Sequence, residues 1–138
     1  MINLVNYQEM ERILKTARTI AVVGLSPKPN RPSHQVAAYL LEAGYTVIPV
    51  NPGQQEILGQ PCYPDLSAVP VPVDVVDIFR NPKDVPSVVD TAIAIKAGAV
   101  WMQEGITHQE AGNKAQAAGL AVVMDYCIKT AHKELSAS

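Results

Sequence analysis

The sequence predicts an α/β domain: a doubly wound parallel sheet with helices on both faces. Three observations predict it. Short, wholly apolar runs alternate from end to end with segments of helical period. Polar, Gly or Pro residues punctuate the changes between them. Residues 19–33, TIAVVGLSPKPNRPS, read as a buried strand passing through a loop into a helix start, the place where a nucleotide-binding α/β fold puts its phosphate loop.

Each element follows from its residues. Tyr7 to Lys15 carries Met10, Ile13 and Leu14 on one side of a short helix. Ile20 to Val23 is the first strand. Ser33 is the expected cap of a helix with Val36, Ala37, Leu40 and Leu41 at helical spacing, stopped by Gly44. Thr46 to Val50 is the second strand, ended by Asn51-Pro52-Gly53. Residues 54–72 are irregular, with an extended piece near Pro61 to Tyr63. Val73 to Phe79 is the third strand, and Asn81-Pro82 opens a helix with a cap and an N1 proline in the preferred order. That helix buries Val85, Val88, Val89, Ala92 and Ile93, and Gly98 is its expected stop. Ala99 to Met102 is the fourth strand. Thr107 to Glu110 has capping-box spacing before an alanine-rich helix that ends at Gly119. Leu120 to Met124 is the fifth strand, and a helix near Ile128 to Leu135 closes the chain.

Five strands with helical crossovers imply a Rossmann-like sheet of order 3-2-1-4-5, with the flavodoxin-like 2-1-3-4-5 as the alternative. At 138 residues the chain is expected to be one domain, 1–138, with 1–17 an N-terminal helix packed on it. A net charge of −2 argues against nucleic acid and membrane surfaces as partners. The N-terminus lacks signal-peptide character, and the two cysteines, Cys62 and Cys127, have no metal spacing. A cytoplasmic protein with reduced thiols is the expectation.

Ligands of such a sheet collect beyond the carboxyl ends of the strands, which selects five loops. In the first, backbone N–H groups from Leu25 onward, the Ser26 and Ser33 hydroxyls, and the charges of Lys28 and Arg31 suit a phosphate. The arginine fork is the better grip. Gly24 stands alone where a dinucleotide fingerprint has three glycines. The second strand ends in Val50-Asn51-Pro52, without the carboxylate that holds an NAD ribose; these residues suit an adenine or ribose instead. Phe79 is either core or crevice wall, and Arg80 follows a buried strand. Gln103 and Glu104 sit at the end of the fourth strand. Asp125 either caps the last helix or reaches the crevice, and Cys127 reads first as a buried thiol. His34, His108 and His132 fall in separate helices; no metal site and no catalytic set emerges.

Taken together, Gly24-Leu25-Ser26 with Arg31-Pro32-Ser33, Val47 to Pro52, Val76 to Arg80, Val100 to Ile106 and Val123 to Cys127 resemble the small CoA-binding protein family, the stand-alone relative of the CoA-binding domain in the succinyl-CoA synthetase α subunit. The resemblance covers about residues 10–134. It implies a nucleotide-binding module for coenzyme A or acyl-CoA, non-catalytic or regulatory, working alone, as a homo-oligomer or in a larger complex. An enzyme acting on a CoA thioester or another nucleotide, through His34, Glu104 or Cys127, is the alternative. By position, Gly24 to Ser26 and Arg31 to Ser33 would meet the pyrophosphate and Val50 to Gly53 the adenosine. Phe79, Arg80 and Val85 would line the crevice, and Met102 to Glu104 would run along the pantetheine arm. The chain departs from the family in having Tyr126 where Arg is usual.

Overall fold

A computed structural model describes residues 4–136. The elements run α1 (Leu4–Thr16), β1 (Thr19–Val23), α2 (Pro32–Glu42), β2 (Thr46–Val50), β3 (Glu56–Ile57), β4 (Gln60–Pro61), β5 (Val75–Ile78), α3 (Val85–Ala94), β6 (Ala99–Met102), α4 (Gln109–Ala117), β7 (Ala121–Val123) and α5 (Ile128–Ser136). Five parallel strands form the main sheet in the order β2-β1-β5-β6-β7. The predicted class is therefore what the chain adopts.

The position of the third large strand needs correction. Counting only long strands, the order is 2-1-3-4-5, because Val75–Ile78 pairs with β1 rather than lying outside β2. The outer edge of β2 is taken by Tyr63, whose N–H donates to the Pro49 carbonyl at 3.1 Å and whose carbonyl accepts from Asn51 N–H at 2.9 Å. The irregular stretch thus supplies a one-residue strand at the edge. Counted with it, the layout is Rossmann-like. Asp74 pins β5 in place: its Oδ2 accepts from the Arg18 and Thr19 N–H groups, both at 2.9 Å, so β5 starts level with β1.

Alternating strand residues divide the core. Ile20, Val22, Val47, Val75 and Trp101 pack against α1, α2 and α5. Ala21, Val23, Val76, Ile78 and Met102 pack against α3 and α4. Trp101 is fully buried within the sheet, its Nε1 donating to the Tyr126 carbonyl at 2.7 Å.

Several helix ends differ from expectation. Arg31, not Ser33, is the N-cap of α2, and Pro32 opens the helix; Ser33 is buried. Asn81 makes no side-chain cap, and a 3₁₀ turn over Pro82–Asp84 precedes α3. Lys96, at φ +60°, ends α3 in place of Gly98, with Ala97 N–H donating to the Ala92 carbonyl. Gly98 serves close packing instead, since a Cβ there would stand 2.9 Å from the Asp74 carbonyl. The capping box does not form: the His108 ring, not Thr107, accepts from Ala111 N–H at 3.1 Å.

Candidate functional site

The carboxyl ends of β1, β2, β5 and β6 converge on two adjoining clefts. One, of about 190 Å³, is lined by Val23, Val50, Pro52, Leu66, Arg80 and Val88 among others. The other, of about 460 Å³, lies between Phe79, Arg80, Asn81 and Pro82 on one side and Gly105 and Ile106 on the other. Arg80 and Asp84 border both, joined to each other at 3.4 Å. A third hollow of about 340 Å³ holds Glu104, Asp125, Tyr126, Cys127 and Thr130. The cleft at the amino ends, under Arg12 and Asp74, is only about 110 Å³.

Gly24 is constrained by the neighbouring backbone. It sits at φ +90°, and a Cβ there would stand 2.2 Å from the Phe79 carbonyl. This lets β1 and β5 end side by side, with Phe79 N–H bonded to the Val23 carbonyl at 2.9 Å. Leu25 is fully buried, and its carbonyl accepts from Asn51 Nδ2 at 2.9 Å. Asn51 Oδ1 accepts in turn from Gly53 N–H at 2.8 Å, so this amide clamps two loops together.

The first loop is organised from within. Ser26 N–H donates to Ser33 Oγ at 2.9 Å, Ser26 Oγ accepts from Lys28 N–H at 3.1 Å, and the Ser26 carbonyl is paired with His34 Nδ1 at 2.9 Å. Both serine oxygens therefore shape the loop as acceptors, and each hydroxyl keeps its proton to donate. The first turn of α2 has no side-chain cap. Lys28 and Arg31 stand exposed beside it, neither in an ion pair with another described residue. A helix start without a side-chain cap and with two exposed cations suits an anion.

The remaining expected residues divide between packing and surface. Val85 and Met102 are fully buried, so their side chains serve the core. Gln103 is also buried; its Oε1 accepts from Ile128 N–H at 3.1 Å and caps α5, one of the two roles open to Asp125 in the sequence. Asp125, at φ +59°, instead accepts from Gly105 N–H at 2.6 Å and holds the β6 and β7 loops together. Pro52, Arg80 and Glu104 are exposed, Phe79 half-buried. Tyr126 turns outward: its hydroxyl bonds the Glu134 carboxylate and lies 3.1 Å from that of Tyr7, tying α5 to α1. Burial and the bond to Glu134 push its phenol pKa up.

Sequence reasoning missed Leu66, Val88 and Asp84 as cleft lining. It also left Asp77 out of the site. Asp77 lies on the central strand, fully buried, with neither carboxylate oxygen hydrogen-bonded among the described residues. Burial and the nearby Cys127 thiol drive its pKa well above the ordinary carboxylate value. An aspartate inside an apolar strand was the available signal. Cys62 Sγ meets the Asn51 carbonyl at 3.5 Å, and burial raises its pKa. Among the described residues, no group of three His, Cys, Asp or Glu could hold a metal ion, and no helix is long and apolar enough to cross a membrane.

Fold and clefts together define a doubly wound α/β domain with open clefts at the carboxyl ends of its strands, where ligands of such folds collect. Comparison with known proteins then fixes the family. The CoA binding domain matches residues 18–133, and the chain belongs to that family. Protein YneT of Bacillus subtilis (strain 168) is 40% identical over 124 residues, 90% of this chain and 92% of that one. ADP-forming acetate–CoA ligase I of Archaeoglobus fulgidus is 30% identical over 139 residues, covering 92% of this chain but 20% of the ligase. The chain is thus a homologue of that ligase's CoA-binding domain. A solved structure of a hypothetical protein from Pyrococcus horikoshii OT3 is 39% identical with TM-score 0.93, over 99% of this chain and 98% of that one.

Proposed function

We propose that this chain binds coenzyme A or an acyl-CoA as a non-catalytic or regulatory module in the cytoplasm. The observation that carries the reading is the coincidence of the family match with open clefts at the carboxyl ends of the strands and with Lys28 and Arg31, which form no ion pair among the described residues. The diphosphate is held at the start of α2 by backbone N–H groups of the first turn, with Arg31 and Lys28 supplying charge. Adenine lies in the apolar cleft between Val50, Pro52, Leu66 and Val88. Arg80, at the junction of both clefts, faces the ligand once its weak pairing with Asp84 opens. The pantetheine arm follows the β6 loop past Glu104 toward Cys127. Ligase chemistry of the larger relative is not carried over, since the alignment spans a fifth of it.

Isothermal titration of the purified chain with CoA tests this. Saturable heat at a one-to-one ratio is expected. Absence of heat at millimolar CoA, with the circular dichroism of a folded α/β domain, contradicts it.

A further inference from the structure

The two adjoining clefts at the carboxyl ends of the strands share one cation. Among the described residues that line them, Arg80 is the only Arg, Lys or His. Its stem crosses the end of β1: a Cβ on Gly24 would stand 3.1 Å from Arg80 Cδ. Its guanidinium reaches Asp84, with Nη2 3.4 Å from Oδ2, and meets no other acceptor among the described residues. That contact is long for a charged pair and partly exposed, so it holds weakly. It also leaves most of the guanidinium's N–H donors unused. The other carboxylate of the smaller cleft, Asp65, is spent on the turn that follows it, accepting from Ala68 N–H at 3.1 Å and from the Ser67 hydroxyl.

We propose that Arg80 binds the 3′-phosphate of coenzyme A and makes the site select 3′-phosphorylated ligands over dephospho-CoA, with Asp84 as the carboxylate that the phosphate displaces. This rests on the CoA-binding reading above, which puts adenine between Val50, Pro52, Leu66 and Val88 and the diphosphate at the start of α2. The ribose is bonded directly to adenine, so its 3′-phosphate emerges at the mouth of the same cleft, where Arg80 stands. Lys28 and Arg31 line neither cleft and are left for the diphosphate. A phosphate monoester carries close to two negative charges at pH 7 and offers three strong acceptor oxygens, which a planar guanidinium grips two at a time. It therefore outcompetes a single carboxylate held at 3.4 Å. Dephospho-CoA has only a hydroxyl at that place and leaves the Arg80–Asp84 pair as it is. Arg80 thus determines specificity, and Asp84 tunes it by competing for the guanidinium.

Parallel calorimetric titrations of the full chain with CoA and with dephospho-CoA test the proposal. Wild type should bind CoA about tenfold more tightly than dephospho-CoA. Arg80→Ala should lose that tenfold for CoA and bind dephospho-CoA as wild type does, which also shows that the variant is folded. Arg80→Lys, which keeps the charge without the fork, should fall between them. Asp84→Asn should bind CoA about threefold more tightly and dephospho-CoA with unchanged affinity. Equal affinity of wild type for the two ligands, or an equal loss of both in a folded Arg80→Ala, overturns the phosphate assignment and leaves CoA binding intact. Unchanged CoA affinity in Arg80→Ala overturns it as well. Unchanged CoA affinity in Asp84→Asn overturns the part given to Asp84. Failure of wild type to bind either ligand overturns the CoA-binding reading too.

Discussion

The two ends of the sheet solve the same problem in opposite ways. At the amino end, polar groups are consumed internally. Asp74 accepts two backbone N–H groups, Gly98 lies against the Asp74 carbonyl, and the neighbouring helix ends close on their own carbonyls at Gly44, Lys96 and Gly119. At the carboxyl end the loops are tied by Ser33, Asn51, Gln103 and Asp125, yet Lys28, Arg31, Arg80 and Glu104 still face outward and the clefts are wide. Two aspartates of one strand region make the contrast sharper. Asp74 accepts two backbone bonds, whereas Asp77, three residues further on, has no partner among the described residues. The first arrangement stabilises the fold, and the second costs stability.

Substitutions can break or sharpen this contrast. Gly24→Ala should have the largest effect, about 4 kcal/mol of lost stability, because its Cβ meets the Phe79 carbonyl rather than a movable side chain. Urea unfolding measures it; a loss under about 1 kcal/mol would mean that the β1 and β5 ends part easily. Asp77→Val should stabilise by about 1–3 kcal/mol at pH 7. Its pH dependence has a definite sign. The folded pKa of Asp77 lies above the unfolded one, so its contribution is full below the unfolded value and is lost as pH rises through the folded value. The advantage of the valine variant should therefore shrink toward acid, and a pH-independent difference would refute the burial account. Asp74→Ala should cost about 2 kcal/mol, since two backbone donors lose a charged acceptor. Arg31→Ala should leave the urea midpoint unchanged and weaken CoA binding about tenfold, the worth of one charge-assisted phosphate contact. Equal affinity in both proteins would remove Arg31 from the site.

Periodicity and apolar runs made the elements readable, because buried parallel strands and half-buried helices leave patterns that do not depend on distant partners. The edge strand at Tyr63 was not readable as one: a single bridge has no period. Cap identity failed for the same kind of reason. Ser33 and Thr107 have the right chemistry, but burial of Ser33 against the first loop and the reach of the His108 ring decide the outcome, and both are tertiary facts. The loops of the site were located by topology, so their positions were legible. The roles within them were less so. Asn51 and Gln103 look like ligand-facing amides in sequence, and the structure spends their oxygens on Gly53 and Ile128. Gly24 was singled out as a phosphate-loop glycine, and its constraint proved to be the neighbouring strand.

The central claim is that the ligand occupies the carboxyl end of the sheet. Amide chemical-shift mapping of the isotope-labelled chain during a CoA titration tests it most directly. The account predicts saturable shifts concentrated in the loops at 24–33, 50–53, 79–82 and 103–106, with residues around Asp74 and Gly98 silent. Shifts concentrated at Arg12, Asp74 and Gly98 instead, or none anywhere at saturating CoA, would contradict it.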